Sequence, residues 1–148
     1  MQQGNLCMKE DKIFLDTNIL VYAYDVSSGK KHDIAKNIVT DLWNLRTGVL
    51  SIQVLQEFFI NVTKKIPKSL DIKTARDIIR DFLLWEVVDN DGELMLAAMD
   101  VQMKYRYAFW DSLIIAAAIK SDASTLLTED LNNGQIIEGV VIKNPFAA

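Results

Sequence analysis

The chain has 148 residues, half of them hydrophobic, and carries a formal net charge of −4 at pH 7. This length predicts one domain with a core that needs no cross-links. The lone cysteine, Cys7, excludes a disulfide scaffold and a thiolate zinc site, and the lone histidine, His32, excludes a histidine-rich metal site. The acidic balance argues against binding nucleic acid through bulk charge, but it leaves binding through metal ions open.

The start of the chain is polar and mixed in charge, without the apolar stretch of a signal peptide. We expect residues 1–11 to form a flexible tail and residues 12–148 to form the single domain. The longest apolar run, residues 113–119, is too short to span a membrane. A free thiol without an export signal predicts a cytoplasmic protein.

The first half of the chain alternates short apolar runs with amphipathic segments. Residues 12–16 form an apolar run that closes on Asp16 and predicts a buried strand. Asn18 is placed to cap a short helix over residues 19–24. The following segments are predicted as helix, strand, helix and helix, over residues 34–45, 48–51, 53–65 and 71–84. In the last of these helices, the spacing of apolar residues predicts that Ile72 and Leu83 face inward.

The second half of the chain continues the same alternation. Its segments are predicted as strand, helix, helix, strand and strand, over residues 85–88, 94–105, 110–119, 125–128 and 140–142. Short apolar strands separated by helices indicate a parallel sheet covered on both faces. The sequence therefore predicts an α/β protein, a three-layer α/β/α sandwich around a short central parallel sheet.

Four acidic residues stand at the ends or borders of apolar segments. Asp16 and Asp130 follow predicted strands, and parallel strands that are neighbours place such residues at the same edge of the sheet. Asp111 lies in the first turn of the most apolar helix, and Glu57 borders an apolar helix face one turn before Asn61. Each position also has an ordinary explanation, as a turn acid, a helix cap, a solvated edge or a loop residue. Carboxylates that converge need a cation, and oxygen ligands alone favour Mg²⁺ or Mn²⁺.

Four segments together resemble the PIN-domain ribonucleases, and more narrowly the VapC-type toxins of toxin–antitoxin pairs. In chain order they read FLDTNIL from Phe14, SIQVLQEF from Ser51, FWDSLI from Phe109 and LTEDLNNGQ from Leu127. The resemblance implies a PIN-like fold and an endoribonuclease that uses Mg²⁺ or Mn²⁺ to hydrolyse phosphodiester bonds of single-stranded or looped RNA. It implies that the metal and catalytic residues are Asp16, Glu57, Asp111 and Asp130.

The same resemblance assigns supporting polar residues and partners. The supporting residues are Thr17, Asn18 and Thr128. The family's last acid comes two residues after a threonine or serine, which selects Asp130 over Glu129. The partners it implies are a small antitoxin protein and a second copy of the chain in a homodimer.

Basic residues near two of the acidic segments are candidates for holding the RNA backbone. They are Lys64, Lys65 and Lys68 after the Glu57 helix, and Lys104 and Arg106 before Asp111. The alternative interpretation is a solvated run of charges on the surface.

Two other classes of protein were weighed against a nuclease. One is a non-catalytic PIN-like module that binds RNA or a protein partner without cleaving it. The other is a phosphate-handling enzyme with an acidic pocket. A haloacid-dehalogenase-like phosphatase needs a second aspartate where Asn18 stands, and a response-regulator receiver needs an adjacent acidic pair at the first strand, which is absent.

Overall fold

The computed structural model describes residues 11–147 and contains six helices and six strands in that range. The tail predicted over residues 1–11 therefore lies outside the described residues, except for Asp11. Among the described helices, none combines the length and the apolar character that crossing a membrane requires.

The strands and helices alternate along most of the chain. The strands are β1 (Ile13–Leu15), β2 (Gly48–Ser51), β3 (Glu86–Val88), β4 (Thr125–Leu127), β5 (Ile136–Ile137) and β6 (Val140–Lys143). The helices are α1 (Thr17–Tyr22), α2 (Lys30–Leu45), α3 (Ile52–Lys64), α4 (Ile72–Phe82), α5 (Gly92–Tyr105) and α6 (Phe109–Lys120). A single 3₁₀ turn, Val26–Ser28, joins α1 to α2.

The strands form one sheet in the order β3-β2-β1-β4-β6-β5. All neighbouring pairs are parallel except β5 and β6, which are antiparallel. Strand β1 lies in the interior of the sheet, with Phe14 opposite Val49 of β2 on one side and Leu126 of β4 on the other. The predicted α/β class with a central, mostly parallel sheet is confirmed.

The core lies between this sheet and the helices that connect its strands. Strand β2 is buried throughout, and so is α6 from Ser112 to Ala118. A strand buried on both faces reads as a continuous apolar run, and a buried helix is apolar on all sides, which is why both were recognisable in the sequence. Helix α3 begins where the Ser51 hydroxyl accepts a hydrogen bond from the Val54 N–H, at 3.2 Å.

Two predicted helix features are wrong at α4. The helix ends at Phe82, so Leu83 is its C-terminal cap and is 51% exposed, and Ile72 is its first residue and is 67% exposed. Both were expected to face inward. The helical spacing places both residues on the apolar face of α4. They lie at its two ends, where the face is no longer covered by the rest of the protein.

The start of α1 also differs from the prediction. The cap is Asp16 and not Asn18, because the Asp16 side chain accepts a hydrogen bond from the Thr17 N–H at 2.7 Å. The backbone of Asp16 is extended, and the chain is helical from the next residue. Asn18 thereby becomes free to make long-range contacts.

Strand β5 was not predicted, and it makes the edge of the sheet antiparallel. It has two residues, which is too short to show a periodic pattern. Ile137 pairs with Val140 across a two-residue turn, Glu138-Gly139, in which both residues have positive φ, at 48° and 86°. A hairpin turn with two positive φ values matches the twist of its strands.

Candidate metal and active site

A cleft opens at the carboxyl ends of β1 and β4, the point where the order of strands reverses. In parallel α/β sheets this is the usual position of a ligand site. The cleft has a volume of about 400 Å³. The four acidic residues singled out in the sequence all line it, namely Asp16, Glu57, Asp111 and Asp130.

Asp16 is the most buried of the four, with 7% of its surface exposed. One carboxylate oxygen accepts from the Thr17 N–H and the other from the Thr128 hydroxyl, each at 2.7 Å. Thr128 follows β4, so this second bond links the ends of the two neighbouring strands.

Burial raises the pKa of Asp16 from 3.8 to about 6. The hydrogen bonds from Thr128 and Thr17 act in the opposite direction and favour the carboxylate, while the nearby Glu57 and Asp130 raise the pKa further. Burial and the neighbouring carboxylates therefore outweigh the hydrogen bonds that favour the ionised form of Asp16.

Glu57 reaches the cleft from the first half of α3. Its carboxylate accepts from the Thr17 hydroxyl at 2.6 Å and from the Gln53 amide at 3.3 Å. Gln53, Glu57 and Asn61 all line the cleft, because residues four apart share one face of a helix. The Asn61 amide donates to the backbone carbonyl of Glu57 at 2.7 Å.

Asp111 is the third residue of α6 and is half-buried. It does not cap this helix, since the N-cap position is Ala108 and no side chain closes it. Burial raises the pKa of Asp111, and the charges of Asp130 and Glu57 raise it further. Within residues 11–147, no hydrogen bond or ion pair compensates its charge, which leaves this carboxylate available to a ligand.

Asp130 is exposed at the rim of the cleft. It accepts from the Asn18 amide at 2.8 Å, and its own N–H donates to the Thr128 hydroxyl at 3.2 Å. The Thr128 hydroxyl therefore contacts both Asp130 and Asp16. Of the supporting residues named from the sequence, Thr17 and Thr128 each contact two of the cleft acids, and Asn18 contacts one.

Glu129, the alternative to Asp130, has a different environment. It forms an ion pair with Lys31 and accepts from the Tyr22 hydroxyl at 2.6 Å. Partial burial disfavours its charge, but the hydrogen bonds from Lys31 and Tyr22 outweigh this and lower the pKa of Glu129. Its charge is already balanced, and it does not line the cleft.

The donor chemistry of the cleft fits a hard cation. Across the described part of the chain, no lysine or arginine forms an ion pair with any of the four cleft carboxylates. No three aspartate, glutamate, histidine or cysteine side chains between residues 11 and 147 form a group that could hold an ion by themselves. Mg²⁺ keeps several of its waters and needs few direct carboxylate ligands, so the two observations are compatible.

The basic residues proposed to hold RNA lie outside the cleft lining. Lys64 and Lys65 are exposed at the end of α3, one turn beyond Asn61, and Lys68 is exposed in the loop that follows. On the other side, Lys104 is engaged in an ion pair with Glu138 at 3.2 Å. The remaining candidate, Arg106, is the exposed C-terminal cap of α5.

Gln53 and Tyr22 are two polar residues of the cleft lining that the sequence analysis missed. Gln53 lies four residues before Glu57, so the helical spacing that pairs Glu57 with Asn61 would have found it. Tyr22 also lines the cleft, next to the ion pair of Lys31 and Glu129. No local sequence signal marks Tyr22, because its position depends on the loop after β4.

Comparison with known proteins identifies the class of protein. The sequence profile of the PIN domain matches residues 13–135, and the chain belongs to this family. No curated protein in the comparison matches the chain. The predicted resemblance to PIN domains is thus confirmed.

Several solved structures share the fold of this chain. A toxin–antitoxin complex from Klebsiella pneumoniae has a TM-score of 0.66 at 19% identity, covering 93% of this chain and 100% of that one. VapBC2 from Rickettsia felis, bound to a DNA fragment from its promoter, has a TM-score of 0.62 at 23% identity, covering 89% and 97%. VapC20 from Mycobacterium tuberculosis, a toxin that cleaves the sarcin–ricin loop, has a TM-score of 0.59 at 18% identity, covering 78% and 87%. At these identities the neighbours show that the chain has their fold.

Proposed function

We propose that this protein is a Mg²⁺- or Mn²⁺-dependent endoribonuclease that hydrolyses phosphodiester bonds of single-stranded or looped RNA, and that it is the toxin of a toxin–antitoxin pair. One observation carries the proposal. Four carboxylates from distant parts of the chain line a single cleft, and their charges are not balanced by any basic side chain of residues 11–147. Such a cleft is complementary to a cation and, through it, to phosphate.

The metal ligands in this proposal are Asp16, Asp111 and Asp130, with Glu57 completing the site. A bound divalent ion supplies two effects there: it lowers the pKa of a water molecule and stabilises charge on the attacked phosphate. The proposed role of Glu57 is to take the proton of the attacking water as a general base. The Thr17 hydroxyl, 2.6 Å from Glu57, orients this carboxylate.

The proposed path of the RNA strand runs from the cleft along α3. Lys64 and Lys65 lie one turn beyond Asn61, and no ion pair neutralises either side chain among the described residues. Phosphate contacts at this position would hold the strand without reading its bases. A single strand suits an open cleft better than an A-form helix, whose bases are stacked inside.

The proposed partners are a small antitoxin and a second copy of the chain. The similar structures are a toxin–antitoxin complex from Klebsiella pneumoniae and VapBC2 from Rickettsia felis. An arginine from the antitoxin would complement the acidic cleft in place of the metal ion. Apolar side chains exposed on α5, such as Leu96 at 64% and Met103 at 71%, supply surface for contacts with another chain. The proposal places the protein in the cytoplasm, where its substrate and antitoxin are made.

The test is cleavage of single-stranded RNA with and without Mg²⁺. We expect Mg²⁺-dependent cleavage by the wild-type protein and none by Asp16→Ala, together with loss of Mn²⁺ binding in calorimetry. Asp41→Ala removes an exposed acid of α2 outside the cleft and is the matched control. Cleavage that survives in Asp16→Ala or in EDTA would contradict the proposal.

The non-catalytic alternative is supported by one observation. The described residues contain no group of three side chains that could hold a metal ion by themselves. A module that binds RNA or a protein without hydrolysis needs no such group. Mn²⁺ binding without RNA cleavage, or RNA binding that is independent of the metal, would favour this alternative.

A further inference from the structure

Gln53 carries a buried polar atom whose partner is missing. The residue lines the cleft, only 5% of its surface is exposed, and its Oε1 accepts no hydrogen bond from the described residues. More than nine in ten buried polar groups in proteins have such a partner. The side chain therefore lacks a donor that a ligand or water in the cleft has to provide.

The orientation of this amide is determined by its surroundings. The Nε2 group lies 3.3 Å from the Glu57 carboxylate and 3.3 Å from the backbone carbonyl of Trp110. Both neighbours are acceptors, so reversing the amide would place its oxygen against two other oxygens. It is thus the acceptor end of Gln53 that remains unpaired. Both bonds are long, which leaves the amide room to adjust to a ligand.

Three side-chain donors of the cleft are engaged by its carboxylates. The Thr17 hydroxyl donates to Glu57, the Thr128 hydroxyl to Asp16 and the Asn18 amide to Asp130. Each donor stabilises a carboxylate, and leaving that carboxylate for the neutral Gln53 oxygen would be unfavourable. None of these three is therefore available to the Gln53 oxygen, and a ligand in the cleft can supply the missing donor.

A strand of RNA brings one such donor with every nucleotide. Phosphate oxygens have no hydrogen to donate. Waters on a bound cation are donors, but only the strand brings the ribose 2′-hydroxyl, which donates and lies next to the phosphate that the acids are proposed to hold. The 2′-hydroxyl is also the group by which proteins distinguish RNA from DNA. A metal site that recognises phosphate does not make this distinction.

We propose that Gln53 Oε1 accepts a hydrogen bond from a ribose 2′-hydroxyl of the bound strand, and that this contact makes the site prefer RNA to DNA. The inference rests on the proposed function, since it assumes a nucleic-acid strand in the cleft. It adds a residue that selects the sugar, and it assigns Gln53 a role in binding substrate rather than in the hydrolysis itself.

The test measures binding, so that it does not depend on turnover. Fluorescence anisotropy compares oligouridylate, oligodeoxyuridylate and 2′-fluoro-oligouridylate of equal length, all in an Asp111→Asn background with Mg²⁺ present. The three probes have the same bases. The fluorine keeps the sugar in the RNA conformation but removes the hydroxyl donor. Gln53→Met nearly conserves volume and removes the acceptor, and Gln56→Met changes an exposed glutamine of the same helix as the control.

With Gln53 intact, we expect RNA to bind about tenfold more tightly than either other probe, as one ordinary hydrogen bond provides. Gln53→Met should weaken RNA binding to the level of DNA and leave binding of DNA unchanged. Gln56→Met should change neither. In a cleavage assay with Asp111 intact, Gln53→Met should lose the tenfold penalty that a single 2′-deoxy substitution imposes.

Three results would overturn the inference. The first is a 2′-fluoro probe that binds like RNA, which would assign the preference to sugar conformation. The second is an equal loss of RNA and DNA binding in Gln53→Met, which would make Gln53 a support for Glu57 alone. The third is no preference for RNA in the parent protein. A preference that depends on Gln53 in a protein that never cleaves RNA would retain the inference and refute the proposed nuclease.

Discussion

Replacing Asp16 by asparagine tests whether the negative charge of Asp16 destabilises the folded protein. Because the pKa of Asp16 is raised from 3.8 to about 6, the folded protein binds the proton more tightly than the unfolded chain does. By linkage, this group favours the folded state below about pH 4, and that stability is lost as the pH rises through about 6. The difference corresponds to roughly 3 kcal/mol at pH 7 in the absence of metal.

Asparagine removes the charge but keeps one of its two hydrogen bonds. Its carbonyl oxygen can still accept from the Thr17 N–H, whereas its amide group cannot accept from the Thr128 hydroxyl. Loss of that bond costs about 1 kcal/mol. We therefore expect Asp16→Asn to be more stable than the wild type by about 2 kcal/mol at pH 7 and less stable by about 1 kcal/mol near pH 3.

Urea denaturation in EDTA at the two pH values measures this crossing directly. Groups outside the cleft keep their environment in both proteins, so the difference reports on Asp16 and the carboxylates that interact with it. Mg²⁺ should stabilise the wild type and not the variant, in proportion to its binding. Equal destabilisation of Asp16→Asn at both pH values would refute the reasoning, since it would show that the charge of Asp16 carries no penalty.

Three further outcomes follow from individual contacts. Asp111→Asn should keep the fold, with a melting temperature equal to or above that of the metal-free wild type by circular dichroism, and should abolish RNA cleavage; an unfolded variant would make the residue structural. Charge reversal of Lys64 and Lys65 should weaken RNA binding and reduce the dependence of log affinity on log salt concentration by about 1 for each lost phosphate contact. An unchanged salt dependence in fluorescence anisotropy would exclude an RNA path along α3. Gly48→Ala would place a methyl group 2.3 Å from the Trp85 ring and should destabilise the protein by about 1–3 kcal/mol in urea denaturation, and full stability would mean that the ring moves freely.

The elements of the fold were largely predictable because they depend on short-range patterns. The apolar run inside α6 is buried through Ala118, and the run that became β2 is buried throughout, as their composition requires. Errors fall at ends and edges. Leu83 satisfies the helical spacing but lies beyond the last turn of α4, and β5 has only two residues. In both cases the packing of neighbouring segments determines where the element ends or forms, and the local sequence does not show this packing.

The sequence by itself determined which acids stand at the ends of apolar segments, and the order of their four motifs, because strands, helices and family patterns are local properties. Only the tertiary structure decided that β1 and β4 are neighbours, so that Asp16 and Thr128 meet at 2.7 Å across a separation of more than a hundred residues. It also decided that Lys31 neutralises Glu129, and that the Gln53 oxygen is left without a donor. Charge balance and hydrogen bonding inside a protein depend on which polar groups are buried next to one another. That arrangement exists only once the chain is folded.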